Sequence, residues 1–277
     1  MKSISAALVI AAGLLLMPMA GAETFHISHC SAGCPDGTPE SNEILVRNLY
    51  VVSINQQSGL ADWVAYRVLK ATVGVASLLP REWRAESLVH SLAPPLATVS
   101  NEPGGRQPLL ENSPEQVYRL TEFRINASDQ GRLVPMTSFA GTSYWQDLNY
   151  LSVMSPLKAD MRGGAWSRLD QAINQLAQTA GEVFVLAGPL FAYHSPATSA
   201  ITAVGDIPAA YFKVVVDSGG RVSAFVFDQS LPRHAAFCDQ ISDLDSVEQI
   251  SNLRLFPEAS EWPRGSLNEA LGCQKSE

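Results

Sequence analysis

The chain has 277 residues, a formal net charge of −8 and 17% charged residues. That length can bury an ample core as one large domain or two small ones. The acidic balance excludes a protein that coats nucleic acid through its overall field, but not one with a local basic cluster or a bound cation.

The opening stretch MKSISAALVIAAGLLLMPMAGA combines Lys2, an apolar run over residues 5–17 and the small residues Ala20-Gly21-Ala22. This is the pattern of a secretory signal peptide over residues 1–22, too short and wrongly flanked for a membrane span. Glu23 stands where a lipoprotein needs a cysteine. The mature chain, residues 23–277, is therefore expected to be exported, periplasmic or secreted, with no membrane association. All four cysteines, Cys30, Cys34, Cys238 and Cys273, lie in it. In an exported chain they read as two disulfides, and Cys30–Cys34 with Cys238–Cys273 is favoured because each pair staples a terminal region. A four-thiolate metal site is the disfavoured alternative, because the second pair lies far apart in sequence.

Residues 24–42 read as an irregular arm. "EILVRNLYVVSI" (43–54) carries a β-branched run, "QQSG" a turn and "ADWVAYRVLK" (61–70) a second strand, predicting a hairpin. From Pro80 to about Val117 the chain is loop-like, punctuated by prolines and by Gly104-Gly105. Strand-turn-strand material follows over 120–138. Trp166, Leu169, Ile173, Leu176 and Ala177 recur at helical steps before Gly181, predicting an amphipathic helix. "EVFVLAGPLF", a hairpin around Ser218-Gly219-Gly220 and a short C-terminal helix complete an α+β pattern.

Several ordered segments then carry a likeness. "CSAGCPDG", "ILVRNLYVVS", "LADWVAYRVLK", Arg81 and Trp83 come first. They are followed by "DQGRLVPMTSFAGTSYWQDLNYLSVMSP", "MRGGAWSRLD", "AGPLF", "IPAAYFKV", "FVFDQSLPRHAAFC" and a late "LGC". Together they resemble the DNA/RNA non-specific endonucleases, the ββα-metal nucleases, over nearly all of the mature chain. The resemblance implies a central antiparallel sheet with helices on both faces, and an active site on a strand-strand-helix unit over roughly 120–178. Residues 95–128 read as a surface insertion in a single domain. Relatives of this type are often homodimers.

Active members use a histidine as general base on water and a helix asparagine as Mg²⁺ ligand. Here the histidine position is Arg132 and the metal asparagine Arg162. The signature arginine is Gln130, a further asparagine is Val153, a helix glutamate is Asp170 and an arginine one turn on is Asn174. Asn149 and Arg81 match the family. A protonated guanidinium cannot act as a base near neutral pH, and a cation at 162 repels Mg²⁺.

Two planar donor forks suit phosphate oxygens, so Arg81, Arg132 and Arg162, with Arg168 as a further candidate, form an expected metal-free phosphate site. A neutralised site, with Arg132 and Arg162 paired to Asp129, Asp160 or Asp170, is the competing arrangement. His194 and His234 are spare bases, each more simply an exposed or capping histidine. Asp160 is a spare carboxylate, and His26, His29 and His90 are weaker candidates. Trp63, Trp83, Tyr150 and Trp166 read as core or cleft wall.

Three functions follow. The favoured one is an exported pseudo-nuclease that binds nucleic acid or another phosphate compound with little or no hydrolysis, needing no cofactor. An active endonuclease with a rearranged site would use Mg²⁺. A module that binds another protein would use the nuclease scaffold, with the 95–128 excursion as its contact.

Overall fold

The computed structural model describes residues 27–56, 59–84, 86, 88–89, 109–110, 118–120, 123–125, 127–191, 207–259 and 263–274. Residues 1–26, including His26, together with His90, His194 and most of the 95–128 stretch, fall outside these.

The strands are β1 (Glu43–Val46), β2 (Tyr50–Ile54), β3 (Ala61–Leu69), β4 (Leu109–Leu110), β5 (Tyr118–Leu120), β6 (Phe123–Ile125), β7 (Gln130–Arg132), β8 (Met154–Pro156), β9 (Glu182–Leu190), β10 (Ala210–Asp217), β11 (Val222–Asp228) and β12 (Ile241–Ser242). The helices are α1 (Ala159–Met161), α2 (Ser167–Ala180) and α3 (Leu244–Ser251). A seven-stranded sheet runs β1-β2-β3-β9-β10-β11-β12, with every pairing antiparallel. Within the expected insertion, β4-β5-β6 form a small antiparallel sheet of their own.

The β-branched run over 43–54, read as one strand, is in fact two. The chain reverses at Arg47–Leu49, where Arg47 N–H donates to Tyr50 O at 2.8 Å. Asn48 stabilises the reversal, because its side chain and backbone N–H both reach Asp147 Oδ2, at 3.0 and 3.3 Å. The partner is a hundred residues away, so local periodicity carries no trace of it.

All eight residues of β10 are buried, because the sheet is covered on both faces. Alternation divides them. Tyr211 and Val215 pack into one core with Leu169, Ile173 and Leu176 of α2. Phe212, Val214 and Val216 pack into a second with Val247 of α3. Helices therefore cover both faces, as the sequence implies. Each fully buried large apolar side chain contributes about 1.5–3 kcal/mol. Trp63 and Trp166 belong to these cores, at 1% and 2% exposure.

Helix α2 ends where Gly181 adopts φ +88°, a backbone that a side chain would strain, and its N–H closes onto Ala177 O. Disulfides join Cys30 to Cys34 and Cys238 to Cys273, the favoured pairing. Among the described residues, no helix is long and apolar enough to cross a membrane.

Candidate functional site

Strand β7 pairs antiparallel with β8, setting Gln130 against Pro156, Gly131 against Ser155 and Arg132 against Met154. The chain then enters α1, passes through a π-helical turn over Arg162–Trp166 and continues as α2. The helix predicted from Trp166 onward is α2, and a shorter helix precedes it. Gly164 separates the two, with φ −101° and ψ −117°. The cause is tertiary: a Cβ at Gly164 would lie 2.6 Å from Arg233 O, so only glycine lets the 232–236 loop approach.

Gly131 plays a similar part on the ribbon. A Cβ there would meet Leu157 Cβ at 2.8 Å and Arg162 Cδ at 3.1 Å. The Arg162 side chain therefore lies flat across β7. Its Nη1 donates to Gln130 O, and its Nη2 to Ser128 O at 2.7 Å. Arg132 is held from the opposite side. Its Nε donates to Leu148 O at 2.8 Å, and its Nη2 to Asn149 Oδ1 at 2.7 Å and Arg81 O at 3.2 Å. Its guanidinium carbon stacks 4.0 Å from the Trp83 ring centroid. Trp83 in turn packs on Leu60, Leu151 and Met154. Only Nη1 of Arg132 lacks an acceptor among the described residues.

Asn149 is 1% exposed, and both ends of its amide are engaged: Oδ1 by Arg132, Nδ2 by Pro80 O at 3.1 Å. With the bridge between Arg84 and Tyr150, this pins residues 80–84 beside the ribbon. Buried Glu86 anchors the same segment, taking an ion pair from Arg47 and a hydrogen bond from Ser152 Oγ at 2.9 Å. Arg81 itself is exposed, and its guanidinium has no hydrogen bond or ion pair among the described residues.

The electrostatics of this group are one-sided. Burial lowers the Arg132 pKa to about 10, with the charges of Arg81 and Arg162 adding to the shift. Burial also lowers Arg162, partly offset by Asp129 and reinforced by Arg81. No ion pair joins Arg132 or Arg162 to Asp129, Asp160 or Asp170, so the neutralised arrangement is not the one adopted. Asp129 Oδ1 instead accepts Ala159 N–H at the start of α1, at 3.2 Å.

Asp170 lies outside the arginine group. It is 6% exposed and ion-pairs with Lys213, which is fully buried and sits 3.6 Å over the Trp166 ring. Burial pushes Asp170 up and Lys213 down, and each partner opposes the other's shift. Asn174 is engaged by Ser138 Oγ at 2.6 Å and Thr137 Oγ1 at 3.1 Å. Val153 is fully buried. Arg168 turns away from the ribbon and donates to Arg233 O at 3.1 Å and to Ala235 O. His234 is exposed, and His29 bonds Arg47 O at 3.0 Å.

These donors do not suit a divalent cation. A carboxylate that could support metal waters is held by an ammonium, the Asn149 oxygen accepts from Arg132, and the helix position for an oxygen ligand is a guanidinium. Among the described residues, no three His, Cys, Asp or Glu side chains gather around a common point.

The structure brings Gln130, Arg132, Arg162, Asn149 and the backbone of Arg81 together, leaves Asp170 apart from them, and adds Lys213 and Arg233, which the sequence does not single out. A lone lysine within the apolar run YFKVVV was the available signal for the first. Nothing local marks the second.

A family model for the DNA/RNA non-specific endonucleases matches residues 31–261. The chain belongs to this family. A nuclease of Serratia marcescens is 30% identical over 280 residues, covering 95% of this chain and 96% of that protein. A nuclease of Nostoc sp. is 23% identical over 201 residues, covering 69% and 63%. Among solved structures, a chain from an EndoG/EndoGI complex, described as revealing the mechanism of EndoG inhibition, superposes with TM-score 0.54. It is 16% identical and covers 81% of this chain and 89% of its own, a likeness of fold.

Proposed function

We propose that this member of the family is an exported pseudo-nuclease whose cleft binds nucleic-acid phosphate without a metal and hydrolyses it little or not at all. The carrying observation is that the hydrogen bonds of Arg132 and Arg162 all go to neutral oxygens, with no ion pair to a carboxylate among the described residues and only the nearby charge of Asp129 opposing that of Arg162. Partly buried cations without an ion-pair partner favour an anion, and a planar fork fits phosphate. Arg81 supplies a free fork beside them. The two disulfides fit an oxidising compartment.

Chemistry on this site lacks a base. With its pKa lowered to about 10, Arg132 is still deprotonated in only about one molecule in a thousand at pH 7. Losing general-base assistance costs about 10²–10⁴-fold. Its one unengaged nitrogen donates rather than accepts. The three arginines can hold and orient a phosphodiester but cannot take the proton from water.

The test is cleavage of plasmid DNA and RNA by residues 23–277 with Mg²⁺, Mn²⁺ or chelator, beside a variant carrying Gln130→Arg, Arg132→His and Arg162→Asn. No cleavage by the natural protein is expected under any condition, and cleavage by the variant would show an intact scaffold. Chelator-sensitive cleavage by the natural protein that survives repurification would establish the active-enzyme alternative.

A further inference from the structure

Beyond the arginine trio, Arg233 occupies an unusual position. It lies in the loop between β11 and β12 and is exposed, with no hydrogen bond or ion pair from its side chain among the described residues. A Cβ on Gly163 would lie 3.4 Å from both Cζ and Nη2 of Arg233. The guanidinium therefore rests on the backbone immediately after Arg162.

Its position is built, not incidental. Arg168 clamps the loop by donating to Arg233 O and Ala235 O. Gly164 admits the Arg233 backbone to a distance that no other residue would allow. Pro232 O accepts the Ala235 N–H at 2.9 Å, closing the turn, and the Cys238–Cys273 disulfide ties down the chain just beyond it. Two glycines, the half-buried Arg168 fork and a turn thus present a single cation beside the backbone that follows Arg162. That is more structure than a solvated surface arginine needs.

We infer that Arg233 forms a second phosphate subsite next to the one at Arg81, Arg132 and Arg162, so that the cleft engages two phosphates of one nucleic-acid strand. This rests on the reading of the trio as a phosphate site and sharpens it. A lone phosphate or a mononucleotide fills only the first subsite, while a strand fills both. The ligand class is then a polyanion with regularly spaced phosphates, and affinity should rise sharply from mononucleotide to oligonucleotide.

The experiment compares inorganic phosphate with a short fluorescent oligodeoxythymidylate, in chelator and over a salt series, for the natural protein, Arg233→Ala, Arg233→Lys and Arg81→Ala. Thermal unfolding is recorded for each. Arg233→Ala is expected to weaken oligonucleotide binding at least about threefold more than phosphate binding, and to lower the slope of log affinity against log salt by about 0.7. Arg233→Lys, which keeps the charge, should recover most of the slope. Arg81→Ala should weaken both ligands alike.

If Arg233→Ala leaves oligonucleotide affinity and slope as they were while Arg81→Ala lowers both, the second subsite is wrong and the first stands. An equal loss for both ligands in Arg233→Ala means one shared site and also overturns the inference. If the natural protein binds neither ligand at low salt, the phosphate-site reading fails and this inference falls with it.

Discussion

Arg67, Arg221 and Arg254 each reach a carboxylate, on Glu182, Asp217 and Asp36, and Arg47 reaches buried Glu86. Arg81, Arg84, Arg132, Arg162 and Arg233, at or beside the β7–β8 ribbon, reach none among the described residues. Arg168 binds only carbonyls, and Arg264 is exposed with no ion pair among the described residues. In a chain with more acids than bases, an unpaired basic cluster is not what average composition produces. The paired arginines are balanced in charge, whereas Arg132 and Arg162 are balanced only in hydrogen bonds. A carbonyl satisfies a donor without cancelling its charge, so the ribbon keeps a positive potential that a phosphate can use.

The interior holds the extreme of the paired class, and breaking it should have the largest effect. Lys213→Ala leaves Asp170 buried without its partner, and a stability loss of about 3–5 kcal/mol is expected in urea unfolding. Replacing both, as Lys213→Met with Asp170→Leu, should recover most of that loss, because two desolvated charges are removed together. If the single and double variants are equally unstable, the ion pair is not the reason for the loss.

At the ribbon, Gly131→Ala forces a Cβ against Leu157 and displaces Arg162. A loss of about 1–3 kcal/mol is expected, with weaker anion binding measured by calorimetry. Arg221→Ala is the control from the paired class. It breaks a half-exposed ion pair, so a stability change within about 1 kcal/mol and unaltered anion binding are expected. Anion binding lost in Arg221→Ala would dissolve the distinction between the two groups of arginines.

The pH dependence follows from the lowered Arg132. While charged, its burial opposes folding, a cost present below pH 10 or so and relieved as pH rises through its folded value of about 10. A bound anion favours the charged form. Affinity should therefore stay level between about pH 6 and 9 and fall as pH rises through about 10. An inflection near 6.5 in a binding titration would instead implicate a histidine.

Much of the fold was legible because it is repetitive. The apolar runs of β10 and β11 on either side of Ser218-Gly219-Gly220 and the helical steps from Leu169 to Ala177 are local patterns that burial then selects. The likeness over ordered motifs places Arg132, Arg162 and Asn149 on one unit and matches Arg81 upstream of it. What could not be read depends on contacts between distant segments. The reversal at Arg47–Leu49 leans on Asp147, and the break at Gly164 leans on Arg233. Asp170 reads as a shortened relative of a glutamate, yet its partner Lys213 lies on a strand across the core. The partners of Arg132 and Arg162 are backbone carbonyls, which no side-chain pattern records. Arg132 and Arg162 therefore make no ion pair with Asp129, Asp160 or Asp170, although Asp129 lies near enough to oppose the shift of Arg162.

Equilibrium binding of a short oligodeoxythymidylate at low salt, in chelator and then in Mg²⁺, with the strand recovered and sized afterwards, is the most direct test. Equal affinity in both buffers, a steep fall with added salt and an intact strand are the expected result. Binding that appears only with Mg²⁺, or a strand shortened in Mg²⁺ and spared by chelator, would contradict a metal-free phosphate site built from arginines.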